Sequence, residues 1–208
     1  MAHKSLSEHL RPNILQDLTL PSRVIDRLQK MVDSREIMNF LFYGKPGTGK
    51  TSAARMIGNL ADCAIFNFNG SLLGGDKGAA RRIGDYATTK SLINETKLFI
   101  IDEADNATLD FQKSIRTIIE DTYAVSRYIL ITNDVKKIIP ALRSRLYEID
   151  FDVPINEKAN AIAKITGILK TKVKSYGISI SDDRISQIVA GSYPDYRAIA
   201  NKIDFELG

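Results

Sequence analysis

The chain has 208 residues, room for one or two domains and a sizeable core. Hydrophobic residues make up 44% and charged residues 26%, ordinary for a globular protein in water, and no apolar run approaches the roughly 18 residues that a membrane span needs. The single cysteine, Cys63, excludes an internal disulfide and a cysteine-based zinc site, and a net charge of +4 suits a polyanionic partner without requiring one.

The N-terminal stretch MAHKSLSEHLRP has no apolar segment of the secretory kind, and its two histidines, His3 and His9, read as surface residues. Five short apolar runs then read as strands: NFLFYG (39–44), CAIFNF (63–68), KLFIID (97–102), RYILIT (127–132) and YEIDF (147–151). Most are apolar throughout rather than alternating, which suits strands covered on both faces. Helical patterns separate them: TSAARMIGNLA, GAARRIGDYATTKSL and LDFQKSIRTIIED. Such β-then-α alternation predicts an α/β fold, a doubly wound five-stranded parallel sheet with flanking helices. Cys63 is expected as a small buried hydrophobe in the second strand.

After Val153-Pro154 the pattern becomes purely helical. Asn156 can cap a helix whose stripe is Ile162, Ile165, Leu169 and Val173, ended by Gly177. Ser181 can cap a second helix, ended by Gly191, and Pro194 can open a third. The expected division is an α/β domain over residues 1–152 and a small helical domain over 153–208.

Gly44-Lys45-Pro46-Gly47-Thr48-Gly49-Lys50-Thr51 fits the P-loop pattern between a strand and a helix. Successive backbone N–H groups must point inward around a phosphate, and side chains would block its approach. The following helix N-terminus adds positive potential. Lys50 is expected to reach the β- and γ-phosphates, and Thr51 to ligate Mg2+. In LFIIDEAD (98–105) the apolar run ends in Asp102-Glu103, at the strand edge where such sheets place their sites. Asp102 is expected to hold Mg2+ and Glu103 to act as general base on the attacking water. Asn133 ends YILITN (128–133); it either stands beside the γ-phosphate or merely ends the strand and caps the next turn.

With these parts in place the chain resembles AAA+ ATPases, and among them the sliding-clamp loaders: the small subunits of replication factor C and their counterparts in T-even-like phages. The resemblance runs from about Leu10 to Glu206. LRPNILQDLTLP is similar to the family's N-terminal Arg-Pro segment, with Leu10 where an aromatic residue is common. That implies that Arg11 and Pro12 pack beside the adenine, with Val24 and Ile25 helping to form its pocket; Ser52 completes the implied ATP-binding set. FNGS (68–71) resembles the family's turn after the second strand. PALRSRL (140–146) resembles its Ser-Arg-Cys motif, with Leu146 replacing the cysteine, and YPDYRAI (193–199) its second sensor motif. Arg145 is then implied as a finger acting in trans on the neighbouring subunit's nucleotide, with Arg143 as a rival, and Arg197 as an arginine acting in cis from the lid.

The resemblance further implies ATP and Mg2+ as ligands, and a sliding clamp, other clamp-loader subunits and primer–template DNA as partners. It implies no membrane partner, and a cytoplasmic setting (that of a bacterial host if phage-encoded). Lys77, Arg81 and Arg82 are candidates for the template backbone, although adjacent Arg81 and Arg82 point in different directions and a solvated helix face explains them equally. Gln112 resembles a glutamine that couples the DNA-facing surface to neighbouring subunits. Arg116 and Glu120, four apart, either pair with each other or contact an adjacent protomer. The collar domain that closes such pentamers is not in the sequence, so a monomer or weak oligomer is expected. Other AAA+ machines of DNA metabolism (a helicase loader, a branch-migration motor), a nucleotide-binding scaffold and a small-molecule kinase are the competing readings.

Overall fold

The apolar runs pair into one all-parallel sheet in the computed structural model, which describes residues 9–10, 12–73, 76, 78–89 and 96–206. The strands are β1 (Phe40–Tyr43), β2 (Ala64–Asn69), β3 (Lys97–Asp102), β4 (Ser126–Thr132) and β5 (Tyr147–Asp150), in the order β2-β3-β4-β1-β5. Alternate side chains enter different cores. Phe40, Phe42, Leu98, Ile100, Ile129 and Ile131 face one apolar cluster; Leu41, Phe99, Ile101, Tyr128 and Leu130 face the other. Because both faces are covered, β3 and β4 lack a polar side. β2 is an edge strand and only partly buried, which accounts for its Asn67 and Asn69. Cys63 lies just before it, half-buried rather than in the strand.

Helix α1 (Ser22–Asp33) packs on the first cluster through Ile25, Leu28 and Val32, beside α2 (Lys50–Leu60). α2 lies close on the sheet because it carries a glycine there: a Cβ on Gly58 would come within 2.8 Å of Ile65 and Leu98 side-chain carbons. A one-turn helix α3 (Gly70–Leu73) follows β2 directly. α4 (Ala79–Thr88) and α5 (Leu109–Asp121) cover the second face, and Thr108 caps α5 by accepting from the Phe111 N–H. A short α6 (Pro140–Arg143) starts on a proline and leads into β5.

The last three helices are α7 (Lys158–Ser175), α8 (Asp182–Ser192) and α9 (Tyr196–Phe205). They bury a cluster of their own, including Ile165, Leu169, Ile185, Val189 and Ile199, which Leu10 joins. Ser181 caps α8 as expected, and Gly177 takes the left-handed φ of +68°. Three boundaries differ from the sequence reading. Residues Ile155–Glu157 form a 3-10 turn, so α7 starts at Lys158 and Asn156 does not cap it. α8 runs through Gly191 to Ser192. Asp195, not Pro194, sets the start of α9, accepting a hydrogen bond from the Ala198 N–H at 3.0 Å.

Polar contacts tie these helices to the N-terminal segment. Lys172 pairs with Asp17 at 3.1 Å, Lys164 Nζ donates to the Leu18 carbonyl at 2.5 Å, and the Tyr196 hydroxyl donates to the Leu10 carbonyl at 3.0 Å. No helix among the described residues is long and apolar enough to cross a membrane.

Candidate functional site

The loop between β1 and α2 needs its glycines. Gly44, Gly47 and Gly49 take φ values of +131°, +75° and +95°, a region that L side chains avoid. The side chain of Lys50 is drawn into the loop, where Nζ donates to the carbonyls of Gly44 and Lys45, each at 2.7 Å. Burial pushes the ammonium pKa below its ordinary value, opposed by the nearby carboxylates of Asp102, Asp152 and Asp105. Asp152 accepts from the Lys45 N–H at 2.8 Å, and Thr48 Oγ1 donates to the Lys45 carbonyl at 2.9 Å, so the loop is braced on both sides.

β3 delivers the acidic pair to the same edge. Thr51 Oγ1 donates to Asp102 Oδ2 at 2.7 Å, and the Glu103 N–H donates to Asp102 Oδ1 at 2.9 Å. Glu103 itself sits at a left-handed φ of +53°, an uncommon setting for a side-chain-bearing residue and one that recurs at working sites. Its carboxylate accepts from Ser71 Oγ at 2.6 Å, and Asn106 Nδ2 donates to the same Ser71 Oγ at 3.1 Å. The Ser71 bond foremost, then the side chains of Asn69 and Asn106, hold the Glu103 carboxyl below the usual range. Gly70 makes this approach possible: a Cβ there would lie 2.3 Å from the Glu103 carbonyl oxygen.

A cavity of about 390 Å³ lies between this edge and α9, a size typical of small-ligand sites. P-loop residues Pro46, Gly47, Gly49, Lys50 and Thr51 form its floor, with Ser52 at the helix start. Asp102, Glu103 and Asn133 line it from the strand ends, and Arg197 from the first turn of α9. Pro12 lines it as well. β4 lies between β1 and β3, which puts Asn133 between the P-loop and the acidic pair. The turn after β4 is capped by Asp134, which accepts from the Lys136 N–H at 3.0 Å, so capping is not the task of Asn133.

The donor set fits a magnesium–nucleotide pair. Thr51 and Asp102 offer two hard oxygens within 2.7 Å of each other. Among the described residues no cluster of three or more acidic, His or Cys groups could cage a metal. Mg2+ takes few protein oxygens and fills its shell with water and phosphate, so two are enough.

Other residues singled out in the sequence lie elsewhere. Val24 lines a separate cavity of about 700 Å³ between α1 and β5, and Ile25 is buried in the core, so neither lines the first cavity. Arg11 and Lys77 lie outside the described residues. Arg81 and Arg82 are exposed on α4, and Arg82 pairs with Asp76. Arg145, on the turn after α6, does not line the cavity; it pairs with Glu120 of α5, and its Nη1 donates to the Ala141 carbonyl at 2.5 Å. Arg116 forms no ion pair with Glu120; its Nη2 reaches Thr117 Oγ1 at 3.5 Å. Arg143 is committed to both Glu148 oxygens, at 2.8 and 2.9 Å. Buried Gln112 ties α5 to the segment before α6: Nε2 donates to the Lys137 carbonyl at 3.0 Å, and Oε1 accepts from the Ile139 N–H at 2.9 Å.

Sequence reasoning missed Arg55 and Asn201, both of which line the cavity. A usable signal existed for Arg55: it stands four residues after Thr51, on the same helix face.

Comparison with known proteins matches residues 40–155 to the model of the "ATPase family associated with various cellular activities (AAA)". The chain is 31% identical over 203 residues to replication factor C subunit 3 of Oryza sativa subsp. japonica, covering 93% of this chain and 55% of that one. It is 31% identical over 202 residues to replication factor C small subunit 2 of Pyrobaculum islandicum, covering 94% and 61%. It thus spans a little over half the length of these relatives. Among solved structures it resembles the Thermotoga maritima RuvB Holliday junction branch migration motor, with a TM-score of 0.74 and 20% identity over 94% of this chain and 64% of that one; at that identity the likeness speaks to the fold.

Proposed function

The chain belongs to the AAA family of ATPases, and from that premise we propose that it is an ATP-driven subunit of a sliding-clamp loader. The observation that carries the ATPase reading is the Thr51 hydroxyl bonded to the Asp102 carboxylate beside a buried Lys50. The clamp-loader reading is supported by about 30% identity to replication factor C subunits along nearly the whole chain.

Each residue has a task in this reading. The P-loop N–H groups and the Lys50 ammonium receive the β- and γ-phosphates; Lys50 exchanges its two loop carbonyls for phosphate oxygens. Thr51 and Asp102 would hold a magnesium ion, which supplies charge neutralisation across the phosphates. Asn133 positions the attacking water and Glu103 accepts its proton. While Ser71 donates to Glu103, one carboxylate oxygen is occupied and the group is a weaker base. Arg197 couples the lid to the nucleotide in cis.

Arg145 serves a neighbouring subunit. Its place outside its own chain's cavity and its partial exposure support that role. The chain alone is then expected to bind ATP and turn it over slowly. The Gln112 bridge links the finger's segment to α5, and α4 presents Arg81 to primer–template DNA. The lid begins near residue 153.

The test is ATPase activity with and without the cognate clamp, primer–template DNA and collar-bearing partner subunits. Stimulation by clamp plus primed DNA, lost steeply as salt rises, is the expected result. Stimulation by branched DNA without a clamp would select a branch-migration motor instead, and no turnover in any combination would select a scaffold.

A further inference from the structure

β5 is the outer strand of the sheet and pairs with β1, with Tyr43 opposite Asp150. Their last rung is the Phe151 N–H donating to the Tyr43 carbonyl at 2.8 Å. Beyond it the two chains part: β1 becomes the P-loop at Gly44, and β5 becomes the linker to the last three helices at Asp152. The Asp152 side chain continues the ladder where the backbone stops, because Oδ1 accepts from the Lys45 N–H at 2.8 Å. Gly44 lets the two chains stay this close: its φ is +131°, and a Cβ there would lie 3.1 Å from both the Asp152 nitrogen and Oδ1. Asp152 is itself fixed, its N–H donating to Asp150 Oδ1 at 2.9 Å. It belongs to none of the sequence motifs that pointed to the site.

The Lys45 N–H and the Gly44 carbonyl belong to one peptide unit, planar and trans, so they point to opposite sides. Asp152 holds the N–H side, and Lys50 Nζ donates to the carbonyl on the other side at 2.7 Å. Rotation of this plane would break both bonds at once. The next carbonyl, that of Lys45, accepts from Lys50 Nζ at 2.7 Å and from Thr48 Oγ1 at 2.9 Å, so its orientation follows from the first. Resting on the P-loop reading above, we propose that Asp152 is a positioning residue for phosphate binding: it sets the plane of the Gly44–Lys45 peptide, and so the shape of the P-loop before the phosphates arrive. Asp152 does not line the phosphate cavity; it acts through the loop and not on the ligand. By charge alone a carboxylate near the cradle would repel a polyphosphate. The bond it accepts is therefore the reason for its place, and the requirement is an acceptor oxygen at that point rather than a negative charge. An amide oxygen meets the same requirement.

Two measurements on the chain test this. In the ligand-free protein, Asp152→Ala should speed exchange of the Lys45 amide hydrogen, read by NMR, by about 5- to 10-fold, and Asp152→Asn should restore most of the protection. In calorimetric titrations with magnesium tripolyphosphate and magnesium ADP, Asp152→Ala should weaken both ligands by the same factor, about 3- to 10-fold, while Asp152→Asn binds both within about twofold of the parent. An unchanged Lys45 amide or unchanged affinities in Asp152→Ala, weakening of ADP alone, or an Asp152→Asn variant as weak as the alanine one would overturn the proposal. Lys50→Ala controls for the reading it rests on. If that variant binds tripolyphosphate as the parent does, the P-loop reading fails, while the exchange of the Lys45 amide, which needs no ligand, still judges Asp152. Asp152 is exposed, and thermal melts confirm that the variants fold.

Discussion

Gln112 is only 3% exposed, and its amide is the bridge between α5 and the segment that leads to Arg145. Replacing it with alanine removes three backbone partnerships: a long one to the Ala107 carbonyl at 3.4 Å, and two shorter ones to the Lys137 carbonyl and the Ile139 N–H, the shorter two worth about 1 kcal/mol net each. It also removes buried side-chain carbons and leaves a gap, a further cost of about 1–2 kcal/mol. Together Gln112→Ala should destabilise the fold by about 3–4 kcal/mol. At about 2–4 °C per kcal/mol for a chain of this length, the melting temperature should fall by about 6–16 °C. Gln112→Met keeps most of the volume and none of these bonds, and should recover only the packing part. Differential scanning calorimetry on the two variants reads this directly. If Gln112→Met melts with the parent protein, the hydrogen bonds are not what holds α5 to the finger's segment, and the bridge is refuted.

Arg145→Ala should leave nucleotide affinity intact and reduce turnover of the assembled complex by about 10³-fold or more, measured as ATPase with partner subunits present; equal damage to the basal turnover of a demonstrated monomer would refute action in trans. Ser71→Ala removes the donor that favours the charged Glu103 carboxylate, so the carboxyl pKa rises and the acidic limb of the pH–rate profile should move to higher pH; an unmoved limb would remove Glu103 from the base role. Gly70→Ala forces a Cβ against the Glu103 carbonyl, so kcat should fall while equilibrium ADP binding holds.

Much of the site was legible because its chemistry dictates local sequence. A phosphate cradle needs glycines at fixed intervals, and an apolar run ending in two carboxylates is hard to arrange otherwise. The sheet was legible because strands buried on both faces carry an unbroken apolar middle, as at residues 98–101 of β3 and 128–131 of β4. What escaped depended on contacts distant in sequence. Ser71 matters through Glu103, 32 residues away, and the partner that holds Arg145, although the residue itself was singled out, is Glu120, 25 residues away. Val24 and Ile25 occupy a helix whose apolar face belongs to the core and a neighbouring cavity, while Arg55, on a helix continuous with the P-loop, lines the first cavity. The starts of α7 and α9 moved because Asn156 falls inside a 3-10 turn and because Asp195 is a better cap than the proline before it.

The most direct test is an equilibrium titration of the chain with magnesium-ATP, run beside Lys50→Ala. Saturable one-to-one binding by the parent, weakened at least about 100-fold in the variant, is what a phosphate cradle at residues 44–51 requires. Indistinguishable isotherms for the two proteins would contradict it.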